Sequence, residues 1–148
     1  LVLDYIQENK SKKWIDDEVW FIMFLQKKKT KLYETEVIEI GEEAKNFKEI
    51  KMVILFGEGA PDALRPSCYI IKVNELSGEI KAGMTLQIDD EKYKITAVGN
   101  EVQTNLKNLG HIAINFTGDK TATLPGSMYV EEKEYPEINE GTKIAIIK

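Results

Sequence analysis

The sequence predicts a mainly all-β, barrel-like domain of short strands with a few short helices, plus an N-terminal helical extension. Three observations carry this expectation. From Lys31 onward the apolar residues fall in short runs bounded by glycine, proline or acidic turns, not in long stretches at helical spacing. Three segments, KAGMTLQI (81–88), LPGSMYV (124–130) and NEGTKIAII (139–147), each set a glycine turn just before a strand. A chain of 148 residues, 43% hydrophobic and 30% charged, is long enough to bury one core and has an ordinary globular composition. The expected division is residues 1–30 as the extension and 31–148 as the β domain.

The elements follow in chain order. LVLDYIQENK reads as a short helix. Acidic residues at 16–18 and lysines at 27–29 then match the two ends of a helix macrodipole, which predicts a helix over Asp16–Lys28. Its apolar residues between Val19 and Leu25 crowd most of the way round the axis, so it requires a partner surface. KLYETEVIEI (31–40) is rich in strand formers, and Gly41 ends it. EEAKNFKEI follows as a short helix or turn carrying Ala44 and Phe47. MVILF (52–56) is a continuous apolar run, the pattern of a strand buried on both faces. In GEGAPDALRP, Pro61 and Asp62 open one helical turn and Pro66 closes it. SCYIIKV (67–73) is a second buried strand. TLQIDDEKYKITAV predicts a hairpin, with Leu86 and Ile88 alternating on one arm and Tyr93 and Ile95 on the other. In NEVQTNLKNLG, Val102, Leu106 and Leu109 share a helix face, and Gly110 suits the position just past the helix end. His111 opens the strand HIAINF, whose alternation puts Ile112, Ile114 and Phe116 on the core face, opposite His111, Ala113 and Asn115.

Charge and composition exclude several classes. A net charge of −5 and a pI near 5.1 argue against nucleic acid, whose phosphates require an excess of Lys and Arg. One cysteine, Cys68, forms no internal disulfide, so the cytosol is the expected compartment. The longest apolar run, VWFIMFL (19–25), falls well short of the roughly twenty residues of a membrane span. The acidic residues before it are wrong for a signal peptide.

The residues offer little conventional catalytic chemistry. Phosphate-loop, nucleophile-elbow and dinucleotide patterns are missing, and one His with one Cys is too few for a tight metal site. The adjacent carboxylates, Glu42 with Glu43, Asp89 with Asp90 and Glu131 with Glu132, read as solvated faces. Cys68 lies in an apolar strand pattern and reads as a structural thiol, with Arg65 and Lys72 close enough in sequence to be noted. His111, the only histidine, has two readings: a packing residue at a strand start, or a nucleophile whose neutral ring nitrogen attacks phosphorus.

Four strings in order, VILFGEGAPDAL, YKITAVG, NLKNLGHIAINFTG and LPGSMYV, resemble the glucitol/sorbitol-specific enzyme IIA component of the bacterial phosphoenolpyruvate-dependent sugar phosphotransferase system. The resemblance runs from about Tyr33 to the C-terminus. It implies a cytoplasmic, barrel-like phosphoryl carrier without metal or organic cofactor. A family histidine takes the group from the phosphocarrier protein HPr and passes it to the IIB domain of a IIB/IIC sugar permease, for hexitol uptake. The family's acceptor histidine follows a Cys–aromatic–Ile string, here Cys68, Tyr69 and Ile70, and the next residue is Ile71. Isoleucine has no nucleophile. His111 matches a histidine that accompanies the acceptor in active members.

Three readings stay open on the sequence: a working IIA component that uses His111, a non-catalytic paralogue acting as a binding or regulatory module, and a domain outside sugar transport whose apolar helix serves assembly. The N-terminal helix itself has two uses, packing on its own domain or holding copies together as a homo-oligomer. Deleting residues 1–28 separates them. Light scattering gives a lower mass if the helix drives assembly, and an unchanged mass if it does not.

Overall fold

A computed structural model describes residues 16–22 and 31–148. The chain separates into two units, with the break after Lys31. In the first, residues 17–22 are helical. The Asp16 carboxylate accepts the Glu18 backbone N–H at 2.8 Å and its carbonyl accepts that of Trp20 at 2.9 Å, which is how an acidic residue opens a helix. The rest of the helix expected to Lys28, and the helix expected in LVLDYIQENK, lie outside the described residues.

The second unit is a closed barrel. Its strands are β1 (Lys31–Ile40), β2 (Met52–Gly57), β3 (Tyr69–Ile71), β4 (Thr85–Ile88), β5 (Glu91–Val98), β6 (Ile112–Asn115), β7 (Ser127–Val130) and β8 (Lys143–Ile147), with one α-helix, α1 (Val102–Leu109), between β5 and β6 and short 3-10 helices at Ala44–Ile50 and Arg65–Ser67. Around the barrel the order is β1-β3-β2-β6-β7-β5-β4-β8. The β2–β3 and β6–β7 pairs are parallel, while β1–β3, β2–β6, β5–β7, β4–β5 and β4–β8 are antiparallel. At the seam, Val37 N–H donates to Thr142 O at 2.9 Å and Gly141 N–H to Val37 O at 2.7 Å. Closure leaves no strand edge open to pairing with another chain.

Alternation sorts the side chains into two clusters. Val53 and Leu55 of β2, Tyr69 and Ile71 of β3, and Ile112 and Ile114 of β6 join the main core, with Leu86, Ile88, Tyr93 and Ile95 from the hairpin. The alternate residues Phe56 and Ile70 form a smaller cluster with Ala60 and Cys68, against which Ile38 and Ile54 pack. MVILF is therefore apolar throughout because each of its faces meets a different cluster. α1 sends Val102 and Leu106 into the main core.

Some sequence expectations require correction. Leu109 is 48% exposed, because the last turn of α1 carries it beyond the core over Val102 and Leu106. The strand expected over 67–73 pairs only at Tyr69–Ile71. Ile71 is registered with Gly57, the last residue of β2, and with Val37 of β1. Beyond it Lys72 and Asn74 meet β1 through the Thr35 hydroxyl and the Glu34 carbonyl instead of a strand ladder, and Lys72 and Val73 are exposed. Pro61 does open a turn, its carbonyl accepting from both Leu64 and Arg65 at 2.9 Å. Pro66 does not close it, because a 3-10 turn over Arg65–Ser67 carries the chain on.

Three surface ion pairs tie β1 to its surroundings. Arg65 grips Glu39 with Nε at 2.8 Å and Nη2 at 3.2 Å, while its Nη1 donates to Glu58 O at 2.9 Å and anchors the loop after β2. Glu36 accepts from Lys143 at 2.5 Å and from Lys72 at 2.9 Å. The hydrogen bond from Lys143, then that from Lys72, holds the Glu36 carboxyl at about 2, below its ordinary value of 4.5. A depressed carboxyl stabilises the fold above its unfolded value, and that contribution is lost as pH falls toward the folded one. Glu36→Gln should lower the unfolding temperature slightly at neutral pH, as befits an exposed pair. Thermal melts of both proteins should converge as the pH is taken from 4.5 down to about 2.

Candidate functional site: the His111 imidazole

His111 is fixed at both backbone and side chain. Its N–H donates to Asn105 O at 3.2 Å and that of Gly110 to Leu106 O at 3.1 Å, the paired bonds that end a helix through a left-handed residue. Gly110 supplies that residue, with φ of 66°. The turn then lies directly against the end of β2. A Cβ on Gly57 would stand 2.6 Å from Leu109 O and 2.4 Å from Val73 Cγ2. A Cβ on Gly110 would come within 3.1 Å of Gly57 N. Two glycines thus let the end of α1 seat on β2, and β6 leaves from that seat.

The register of β2 with β6 does the rest. Leu55 pairs with Ile112 antiparallel, which makes Phe56 and His111 the next cross-strand neighbours, on the outer face. The rings stack with centroids 4.2 Å apart and planes 20° from parallel. Nδ1 of His111 lies 2.9 Å from the Leu55 carbonyl oxygen. A carbonyl only accepts, so this contact puts a proton on Nδ1, and in the neutral ring the lone pair then lies on Nε2. The ring is half-buried, and its one hydrogen-bond partner among the described residues is on Nδ1. A neutral imidazole held by one nitrogen, with the other free and accessible, is equipped for nucleophilic attack.

Ile71, by contrast, is 0% exposed and packs in the main core. Ile71 and His111 sit near the same end of β2, but the sheet separates them, Ile71 facing the interior and His111 the outer face beside Phe56. Cys68, Arg65, Lys72, Asp89, Glu131 and Glu132 have structural partners. The Cys68 thiol donates to Leu64 O at 3.2 Å, and burial pushes its pKa up, away from a reactive thiolate. Arg65 is engaged with Glu39, and Lys72 with Glu36. Asp89 Oδ1 accepts the Lys143 N–H, Glu131 Oε1 accepts that of Lys94, and Glu132 pairs with Lys51. Among the described residues no cluster of His, Cys, Asp or Glu could hold a metal ion.

Comparison with known proteins gives this geometry a family. A family model for the glucitol/sorbitol-specific IIA component of the phosphotransferase system matches residues 32–145. This chain belongs to that family. Glucitol/sorbitol-specific EIIA components of Shigella flexneri and of Escherichia coli K12 are each 36% identical over 101 residues, covering 68% of this chain and 82% of theirs. The crystal structure of a phosphotransferase-system IIA component from Enterococcus faecalis V583 superposes with a TM-score of 0.69 at 29% identity, over 78% of this chain and 100% of that one. The match covers the barrel, and its partners by family are components of a sugar phosphotransferase system. Among the described residues no helix is long and apolar enough to cross a membrane.

Sequence reasoning missed Leu55, Phe56 and Gly57 as the setting of His111. They lie more than fifty positions upstream of it, and only the β2–β6 register brings them there. Burial of position 71 has its own consequence. Ile71→His would place an imidazole in an apolar core, at a cost of roughly 2–4 kcal/mol. Urea unfolding should show that loss, and the substitution should not create an accessible acceptor.

Proposed function

We propose that this chain is a phosphoryl carrier of the sugar phosphotransferase system that takes its phosphoryl group on Nε2 of His111. The observation carrying the reading is the 2.9 Å contact of Nδ1 with the Leu55 carbonyl, which leaves Nε2 as a free, accessible nucleophile. In the transfer from HPr, the Nε2 lone pair forms a bond to phosphorus. The phosphorus–nitrogen bond of the donor phosphohistidine breaks, and its electron pair returns to the donor ring. The Nδ1 proton stays where Leu55 holds it. Passage to a IIB domain runs the same exchange toward a cysteine acceptor, in support of hexitol uptake in the cytoplasm. The step draws on no metal or organic cofactor.

A second reading rests on Ile71 at the family's acceptor position: a non-catalytic paralogue that binds components of the system without chemistry. One assay separates the two. The protein is incubated with phosphoenolpyruvate, enzyme I and HPr, and its intact mass is read at alkaline pH. A working carrier gains one acid-labile phosphoryl group, and His111→Ala abolishes the gain. That variant loses one hydrogen bond, about 0.5–1.5 kcal/mol, and the ring contact with Phe56, of about the same worth, so it should remain folded. No gain while HPr is fully charged in the same tube establishes the second reading.

A further inference from the structure

We propose that Phe56 is a positioning residue for phosphoryl transfer, its ring face stabilising the charge that His111 acquires as it takes the group. The inference rests on the proposed role of His111 and deepens it. Two neutral aromatic rings prefer offset or edge-on arrangements at wider separations. The pair here is closer and more parallel, at 4.2 Å and 20°, an arrangement that suits an electron-rich face against an electron-poor ring.

The chemistry supplies such a ring. Nε2 gives its lone pair to phosphorus while Nδ1 keeps its proton, so the imidazole becomes a phosphoryl-imidazolium. Its positive charge meets two partial negative charges already in place, the Leu55 carbonyl in the ring plane and the Phe56 face against it. The C-terminal end of α1, immediately before His111, carries the same sign. Phe56 is 7% exposed and is itself held by Ala60, Cys68 and Ile70, so it presents a fixed surface and does not follow the imidazole as it moves. The contact also restricts ring rotation, which would otherwise take Nδ1 off the carbonyl.

A purely structural role for Phe56 predicts that any apolar residue of similar size would serve. The test compares Phe56→Leu and Phe56→Met, which keep apolar bulk, with Phe56→Trp, which keeps an aromatic face. Thermal melts establish that each is folded, and two apolar variants guard against one failing to fold. Phosphorylation by charged HPr is followed as a rate, and the imidazole 15N shifts of His111 report its tautomer in the unphosphorylated protein. The expected result is a loss of rate of roughly tenfold in the apolar variants, recovered in Phe56→Trp. Their 15N shifts should move from a single Nδ1–H form toward a mixture. Unchanged rates in folded Phe56→Leu or Phe56→Met overturn the proposal. If the wild-type protein takes no phosphoryl group, the reading of His111 as acceptor fails separately. The 15N shifts then still decide positioning, and an unaltered tautomer in the apolar variants would overturn it.

Discussion

The antiparallel pairing of β2 with β6 is the constraint on which this structure depends. It closes the middle of the barrel and sets Leu55 opposite Ile112, so that one face of each strand fills the core. The same register delivers Phe56 and the Leu55 carbonyl to His111 on the other face. A slip of one residue would exchange the two faces, exposing Leu55 and Ile112 while burying the imidazole. The burial that fixes the fold therefore also fixes the site. The close seat of Gly57 against Leu109 and Gly110 holds this register from its end, since Gly57 has no room for a side chain and Gly110 is tight and left-handed.

The barrel was legible in the sequence wherever a local signal existed. The β4–β5 hairpin announced itself by alternation on either side of Asp89 and Asp90, and the register Leu86 with Tyr93 follows it. Gly110 marked the end of α1 because a left-handed residue there favours glycine. The misses have physical causes. Leu109 fits the helix periodicity, but periodicity does not say how far the core beneath extends. Lys72 and Val73 continue the strand composition of β3, but β2 ends at Gly57 on one side, and on the other the contacts with β1 pass to side chains.

The site was half legible. His111 stood out as the only imidazole, and its position just past a helix end was readable from Gly110. Its tautomer was not, because that is set by a backbone carbonyl from a strand distant in sequence, and a carbonyl leaves no trace in side-chain identity. Phe56 was readable only as apolar. Strand composition cannot distinguish a ring that fills a core from one that presents its face to an imidazole.

The contrast between positions 71 and 111 follows from alternation along β3 and β6. Ile71 faces the barrel interior, where an isoleucine makes good apolar contacts and an imidazole would be costly. His111 faces outward beside Phe56, half-buried, with one nitrogen on the Leu55 carbonyl. In this chain the imidazole is therefore on the outer face, and packing alone does not call for one there. A half-buried position stacked on Phe56 would accept many side chains, but a neutral ring held by Nδ1 with Nε2 free is a specific chemical arrangement. That arrangement is what the carrier role proposed for His111 rests on, with isoleucine at the family's own acceptor position.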